Sequence, residues 1–573
     1  MPPTIDHIEL DENNAEFNYA MQFVQHTNRL IYLTGKAGTG KTTFLKYLKQ
    51  TTKKSVAIVA PTGVAAINAG GQTIHSFFQI KPGVYVPNDK RLRSHASPFD
   101  TDKSTVFNYF KYSEEQRKVI RELDLLIIDE ISMVRCDLLD VIDRLMRVYR
   151  NWEFEPFGGV QVILIGDTFQ LPPIADGEQW DILSKFYESP FFFSSNVIKR
   201  HRPVYIELKK IYRQKEQGFI DLLNRVRTNQ VTQNELTLLN SKYNPTFVPP
   251  EHSNYITLAT HNKIVDSTNA TRLAELSTEI KTFKASVDKD FPDNMMPADK
   301  VLQLKEGAQI MFIRNNRAKK VHNGKIAKIK SLKDDKIIVE ISEGNEITVE
   351  KETWENIRYS WNDTDRKIED EVVGSFTQYP IRLAWAISVH KSQGLTFDNV
   401  IADLGAAFSS GQVYVALSRC TSFDGLVLKT QIDRGAIKTD TRVIRFAQNE
   451  TPDTLIVQEL NAGKADHYYK KAREAAKAKD MHTALQQFIK AIEFRNDVDT
   501  DLFKRYATVL HSRLTNRKEM RVTLPAAVAL LKKQYAKKES VGAPLVVTKE
   551  QNKSIGFWIE KLTEFARLKG INK

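Results

Sequence analysis

The octapeptide Gly35-Lys36-Ala37-Gly38-Thr39-Gly40-Lys41-Thr42 constrains this chain more than any other feature, because it follows an apolar run, Ile31-Tyr32-Leu33, and opens a helical pattern over residues 43–49. Strand, glycine-rich loop and helix in that order make a phosphate-binding turn. Glycines allow backbone N–H groups to approach phosphate oxygens, the lysine answers the β- and γ-phosphates, and the next hydroxyl reaches Mg²⁺. The expected nucleotide contacts are therefore Gly35, Ala37, Gly38, Thr39, Gly40, Lys41, Thr42 and Thr43, with Thr42 also on the metal.

Eighty-eight residues after Lys41, the apolar run Leu125-Leu126-Ile127-Ile128 ends in Asp129-Glu130. A carboxylate pair at the end of a buried strand suits ATP hydrolysis: Asp129 would hold Mg²⁺ and Glu130 would activate the attacking water. A second apolar run, residues 160–165, ends in Gly166-Asp167-Thr168-Phe169-Gln170-Leu171-Pro172-Pro173, which places Gln170 to sense the γ-phosphate. Either carboxylate pair alone could be a solvated strand end; beside a phosphate loop, that reading loses ground.

The rest of the first 450 residues alternates short apolar runs with amphipathic stretches, the pattern of an α/β protein with mainly parallel sheets. Residues 81–104 are polar and spaced by Pro and Gly, as in a loop-rich insertion. Between 302 and 361 the runs become alternating strands with turn signals at Asp334-Asp335 and Gly344-Asn345, which predicts a small β-rich, barrel-like insertion. Residues 464–495 read as helical. At 573 residues the chain has room for about four domain-sized units. With 41% hydrophobic and 27% charged residues, a largely disordered chain is excluded. Residues 1–14 are acidic, with no basic or apolar leader region, and no long uncharged apolar run follows, so no membrane association is expected and the cytoplasm is the expected location. The two cysteines, Cys136 and Cys420, suggest neither a disulfide framework nor a zinc site. The formal net charge of +13 points to a polyanionic partner, and +10 of it falls after residue 450.

Further motifs carry a resemblance. Ala60-Pro61-Thr62-Gly63-Val64-Ala65-Ala66 and Gly71-Gln72-Thr73-Ile74-His75-Ser76-Phe77-Phe78 follow the phosphate loop, and Asp129-Glu130-Ile131-Ser132-Met133-Val134-Arg135 continues the strand end. Farther on come Ile211-Tyr212-Arg213-Gln214, then a segment from Ala384 through His390-Lys391-Ser392-Gln393-Gly394, then Tyr414-Val415-Ala416-Leu417-Ser418-Arg419. In this order they resemble the motifs of superfamily 1B DNA helicases of the Pif type (petite integration frequency family), bacterial members in particular, over about residues 14–446.

The resemblance implies two RecA-like lobes with ATP between them: residues 1–205, with an insertion near 72–120, and 206–450, with the β-rich insertion near 295–375. A basic helical tail, 451–573, lies beyond. Lys41, Glu130 and Gln170 would act with Arg213 and Arg419, two arginine fingers, and Gly394 would also face nucleotide. The implied activity is DNA-stimulated ATP hydrolysis with 5′ to 3′ translocation and unwinding, using ATP and Mg²⁺ on single-stranded DNA and single-strand/duplex junctions, by a monomer in the bacterial or phage nucleoid. Thr62, His75, Phe78, Phe169, Pro172, His261 and His390 are the candidates for gripping DNA by backbone contact and stacking, although each histidine could instead be structural. A motor subunit of a nuclease or conjugation complex, or an ATP-switched partner-binding protein, stays open as an alternative. The family usually carries an adenine-reading glutamine where this chain has Asn18, so Gln22 and Gln25 are further candidates for that contact. In the tail, Ala472, Ala475, Ala484, Phe488 and Ala491 are spaced as in a tetratricopeptide helix pair, which either packs on its neighbours or offers a groove to a protein partner. Lys532-Lys533-Gln534-Tyr535-Ala536-Lys537-Lys538 is either a phosphate-binding cluster or a solvated helix face.

Overall fold

The computed structural model describes residues 14–501 except 97–101, 176, 251–252, 315, 317–320, 322, 334–335, 343–344, 363, 365–366, 479 and 498–499. Six strands, β1 (Ile31–Gly35), β2 (Val56–Ala60), β3 (Gln72–Thr73), β4 (Leu125–Ile128), β5 (Gln161–Ile165) and β6 (Val204–Leu208), form one parallel sheet in the order β3-β2-β4-β5-β1-β6. Every residue of β1, β4 and β5 is buried. Strands covered on both faces need apolar side chains throughout, and each fully buried Leu, Ile or Val contributes about 1.5–3 kcal/mol. The chemistry-bearing residues follow at the carboxyl ends of these strands, where open α/β sheets place their ligands. After β1 the chain turns through Gly38 and Gly40, with φ of 82° and 89°, into the helix Lys41–Thr51.

A second parallel sheet has the strand order Ala386–Ser388, Ile256–Ala259, Val400–Asp403, Leu426–Leu428. These two sheets are the RecA-like core expected from the sequence. The β-rich insertion is an antiparallel sheet built on Gln309–Phe312, Ile326–Lys333, Lys336–Ser342 and Asn345–Val349, with Ile381–Leu383 on its other edge. The sequence patterning did not reveal the long hairpin that follows, Glu352–Asn362 with Lys367–Gln378. Its Tyr359 is buried in the core of the first sheet. There β3 pairs only with Val59 and Ala60, so the edge groups of Ile58 need another partner. The Tyr359 hydroxyl serves both, accepting from the Ile58 N–H at 3.0 Å and donating to its carbonyl at 3.3 Å.

Residues 21–29 and the described residues from 452 onward form a separate compact unit. Its described part is a helix pair, Asp453–Lys477 and Met481–Phe494. Ala472, Ala476, Ala484 and Ala491 are buried, and Phe488 meets the Tyr469 ring at 5.8 Å. Small residues at the crossing let the two helices approach closely. Gly463 instead admits residues 21–29, since a Cβ there would lie 2.3 Å from the Thr27 methyl. The Lys532–Lys538 cluster lies outside the described residues.

One glycine governs how closely the two sheets' loops approach. Gly411, at φ 79°, precedes the helix Gln412–Leu417, and a Cβ on it would lie 2.2 Å from the Gln170 carbonyl oxygen. Gly411→Ala combines left-handed strain with a backbone clash and is expected to cost about 2–4 kcal/mol in urea unfolding of the full chain. A loss below about 0.5 kcal/mol would mean that the Gln170 backbone yields freely.

Candidate nucleotide site

A cavity of about 640 Å³ opens where the carboxyl end of β1 meets the second half of the chain. It is lined by Ala37, Gly38, Thr39, Gly40, Lys41, Thr42 and Thr43 of the loop and helix start, by Glu130 and Gln170 after β4 and β5, and by Arg213, Gly394 and Arg419. Residues as far apart in sequence as Ala37 and Arg419, 382 positions, are thus brought to one place. Asn14, Phe17, Tyr212 and Thr396 also line it, and the sequence reading missed all four as site residues. Tyr212 had a signal, since it adjoins Arg213 within a motif; Asn14 and Phe17 had none beyond lying one turn from Asn18.

That difference corrects one assignment. Asn18 is not among the residues that line the cavity; Asn14 is, at the start of the helix Ala15–His26. The Asn14 carbonyl oxygen Oδ1 accepts from the Phe17 N–H at 3.0 Å, which caps the helix and fixes the amide, and its Nδ2 donates to the Tyr212 hydroxyl at 3.4 Å. Gln22 is engaged elsewhere, accepting from Lys464 Nζ at 2.7 Å. Gly35 and Asp129 stand behind the lining: the Gly35 carbonyl accepts from Lys41 Nζ at 2.6 Å, and Asp129 Oδ1 accepts from the Glu130 N–H at 2.9 Å.

The second half of the chain reaches the loop through its backbone. The Tyr212 N–H donates to the Gly38 carbonyl at 2.9 Å, and a Cβ on Gly38 would lie 2.4 Å from that of Arg213. Only glycine fits a chain passing so close. Arg213 Nη1 and Gln214 Nε2 both donate to the Ser418 carbonyl at 3.1 Å, which joins this segment to the one carrying Arg419. Arg419 is buried and donates to the carbonyls of Val415 at 2.9 Å and Leu395 at 3.3 Å. Burial and the neighbouring Arg419 cation push the Arg213 guanidinium down from its ordinary range. Burial likewise lowers Lys41, which folds back to the Lys36 carbonyl at 3.0 Å as well as to Gly35. Three crowded cations resting on neutral carbonyls form a ready receptor for a polyphosphate, whose charged oxygens are stronger acceptors.

Opposite in sign stands the Asp129-Glu130 pair. Glu130 sits at φ 49°, ψ 44°, a left-handed conformation that costs a side-chain-bearing residue about 1–2 kcal/mol and that aims it into the cavity. The Glu130 side chain lines the cavity and Asp129 stands behind it, both largely enclosed by protein. Desolvation, then the Glu130 charge, push the Asp129 carboxyl up to about 7, and desolvation pushes Glu130 up against the pull of Lys41 and Arg419. Among the described residues no group of three or more His, Cys, Asp or Glu makes a metal site by itself. An under-compensated carboxylate pair near the Thr42 hydroxyl is what fits a divalent cation whose other ligands come from phosphate and water.

The DNA candidates separate into two groups. Thr62, His261 and His390 are exposed, and His75 and Pro172 are half-buried. Thr62 caps the helix Gly63–Ala69 through the Ala65 N–H at 3.3 Å, and the His261 ring lies 5.2 Å from that of Phe408, itself exposed. Phe78 and Phe169 are buried, which corrects their assignment as stacking platforms. Phe78 packs edge-on to Phe77 at 4.7 Å in the core, and Phe169 lies under the Arg227 guanidinium at 4.0 Å.

Fold and site together define a P-loop protein with two parallel sheets, whose cavity gathers lysine, carboxylate and arginine side chains. A family model described as PIF1-like helicase matches residues 10–237. The solved structure of Bacteroides sp Pif1 in complex with ADP-AlF4 is 41% identical, with a TM-score of 0.69, covering 76% of this chain and 96% of that one. Bacteroides Pif1 bound to ssDNA is 40% identical over the same shares, with a TM-score of 0.53. The ATP-dependent DNA helicase PIF1 of Homo sapiens is 33% identical over 437 residues, 73% of this chain and 60% of that protein. This chain belongs to the PIF1-like helicase family, and it spans about three fifths of the length of the curated relatives first matched.

The carboxylate pair makes stability depend on pH. Asp129 has an ordinary value of 3.8 and a folded value of about 7, so between the two the folded state keeps a proton that the unfolded state has lost. Its contribution is complete below about pH 4 and is lost as pH rises through about 7. Thermal unfolding without metal or nucleotide is expected to fall over that window, with a shallower slope for Asp129→Asn. Equal slopes would show that this carboxyl is not displaced.

Proposed function

We propose that this chain is a DNA-stimulated ATPase and DNA helicase that moves 5′ to 3′ on single-stranded DNA and opens duplexes and other DNA secondary structure. The observation that carries this reading is the composition of one cavity: Lys41, Thr42, Glu130 and Gln170 share it with Arg213 and Arg419. Support comes also from relatives named ATP-dependent DNA helicase and from a neighbour solved on ssDNA.

In this reading Lys41 and the N–H groups of residues 38–43 hold the phosphates, Glu130 takes the proton of the attacking water, and Gln170 positions that water against the γ-phosphate. Thr42 and Asp129 would hold Mg²⁺, which when bound neutralises charge on the phosphate oxygens. Arg213 and Arg419 exchange their carbonyl partners for the transferring phosphoryl group. Asn14, rather than Asn18, with Phe17 and Tyr212, faces the base. Residues 1–205 and 206–450 act as two lobes that close on ATP, and Thr62, His75, Pro172, His261 and His390 meet single-stranded DNA or a junction, gripping it by turns. The 40–41% identity to the Bacteroides structures supports a bacterial-like member, and in this reading it works as a monomer at the nucleoid. The tail, with its net +10, adds phosphate contacts or receives a protein partner.

Strand displacement from duplexes with a 5′ or a 3′ tail tests the activity and its direction: release from the 3′-tailed substrate alone would reject the polarity, and no release from either would reject the helicase. Lys41→Ala is expected to abolish turnover, whereas Glu130→Gln should bind ATP and fail to hydrolyse it. Arg213→Ala and Arg419→Ala should each lose on the order of 10³ in turnover. Steady-state ATPase with oligonucleotide checks all four; a loss below about tenfold would return that arginine to a structural role.

A further inference from the structure

Tyr414 is buried on the short helix Gln412–Leu417, between Gly411, which touches the Gln170 backbone, and Arg419. Its phenol oxygen accepts from the Ala37 N–H of the phosphate loop at 3.1 Å and donates to Asp167 Oδ2 at 3.4 Å. One hydroxyl thereby uses both of its hydrogen-bonding roles across the cleft. Asp167 has no solvent contact at its side chain and gathers three more donors. Its Oδ1 accepts from Arg227 Nη2 and from the Phe169 N–H, both at 3.1 Å, and its Oδ2 accepts from Gln170 Nε2 at 3.4 Å. Arg227 also reaches Glu207 at 3.4 Å and covers the Phe169 ring.

Two of the groups so connected line the nucleotide cavity, Ala37 and Gln170, and Arg419, two residues beyond the helix that carries Tyr414, lines it too. Backbone N–H groups of a glycine-rich loop ordinarily point to phosphate. Here one of them points to a hydroxyl from the other lobe, so any shift of the loop on filling with nucleotide is felt at Tyr414. The same hydroxyl bears on the carboxylate that orients Gln170. A buried tyrosine needs some hydrogen-bond partner. Its meeting the loop and the γ-phosphate-side glutamine's anchor together goes beyond that need.

We propose that Tyr414 is a positioning residue of the hydrolytic site: its hydroxyl, held between the Ala37 N–H and Asp167, sets Gln170 and Arg419 in register with the phosphate loop. The proposal rests on the ATPase reading above. Tyr414 acts only through these neighbours.

Tyr414→Phe in the full chain removes the hydroxyl and keeps the ring packing. Turnover on single-stranded DNA is expected to fall about tenfold or more, with KM for ATP changed by less than about threefold and an unchanged melting midpoint. A second measurement uses neither DNA nor turnover. Mant-ADP, a fluorescent diphosphate, should bind the variant as it binds the starting protein, but the gain in affinity on adding aluminium fluoride, which mimics the transferring phosphoryl, should be mostly lost. Turnover within about twofold of the starting protein together with an intact aluminium-fluoride gain would overturn the proposal. So would weaker mant-ADP binding with a lowered melting midpoint, since both mark a structural brace. If the starting protein shows no DNA-stimulated hydrolysis, the function proposed above fails, and the mant-ADP comparison still decides the role of Tyr414.

Discussion

A carboxylate removed from water must find a cation, and in this chain that demand falls on Asp167. Its side chain has no solvent contact, and Arg227, from a helix fifty residues and more along the chain, supplies the charge at 3.1 Å. Breaking such a pair by removing one partner leaves a buried charge uncompensated, at a cost of about 3–5 kcal/mol. The cleft between the two sheets is therefore organised around a group that neither side can satisfy alone. Phe169 under the guanidinium, the Gly411 approach to Gln170 and the Tyr212 N–H on the Gly38 carbonyl all take their place around it. Held this way, the cavity keeps its shape.

The cations of the cavity are resting and not idle. Lys41 lies on the carbonyls of Gly35 and Lys36, Arg419 on those of Val415 and Leu395, and Arg213 on that of Ser418. Neutral carbonyl acceptors hold them in place at modest strength, and a phosphate oxygen outcompetes them. Preorganisation of this kind lowers the reorganisation needed when charge develops on a transferring group. Across the same space, the Asp129-Glu130 pair stores the complementary shortage of positive charge.

Much of this site could be read from the chain alone because its chemistry is local. Residues 37–43, the strand ends at Glu130 and Gln170, and the motif arginines sit at fixed offsets from apolar runs, and the fold brings them to one cavity. Legibility stopped where a side chain's direction depends on distant packing. Phe78 and Phe169 stand in DNA-like contexts, yet one joins the core and the other goes under Arg227. Asn14 and Phe17 line the cavity and Asn18 does not, because the helix starts at Ala15 and turns its cap and Phe17 toward the cleft. Arg227 carried no motif at all. Its importance comes from Asp167, sixty positions away, with Glu207 and the Phe169 ring beside it.

Tyr359 gives the fold an order in time. Its hydroxyl closes the sheet edge at Ile58 across 301 positions, and Ile357 and Ile368 pack beside it against the same core. A ribosome emits the amino-terminal sheet long before that hairpin, so the nascent lobe waits with an unfinished edge. Loop closure over such a span comes late, and exposed sheet edges are where chains pair wrongly with one another. The first lobe is thus completed by a piece of the second, and its maturation is a whole-chain event even though its sheet is contiguous in sequence.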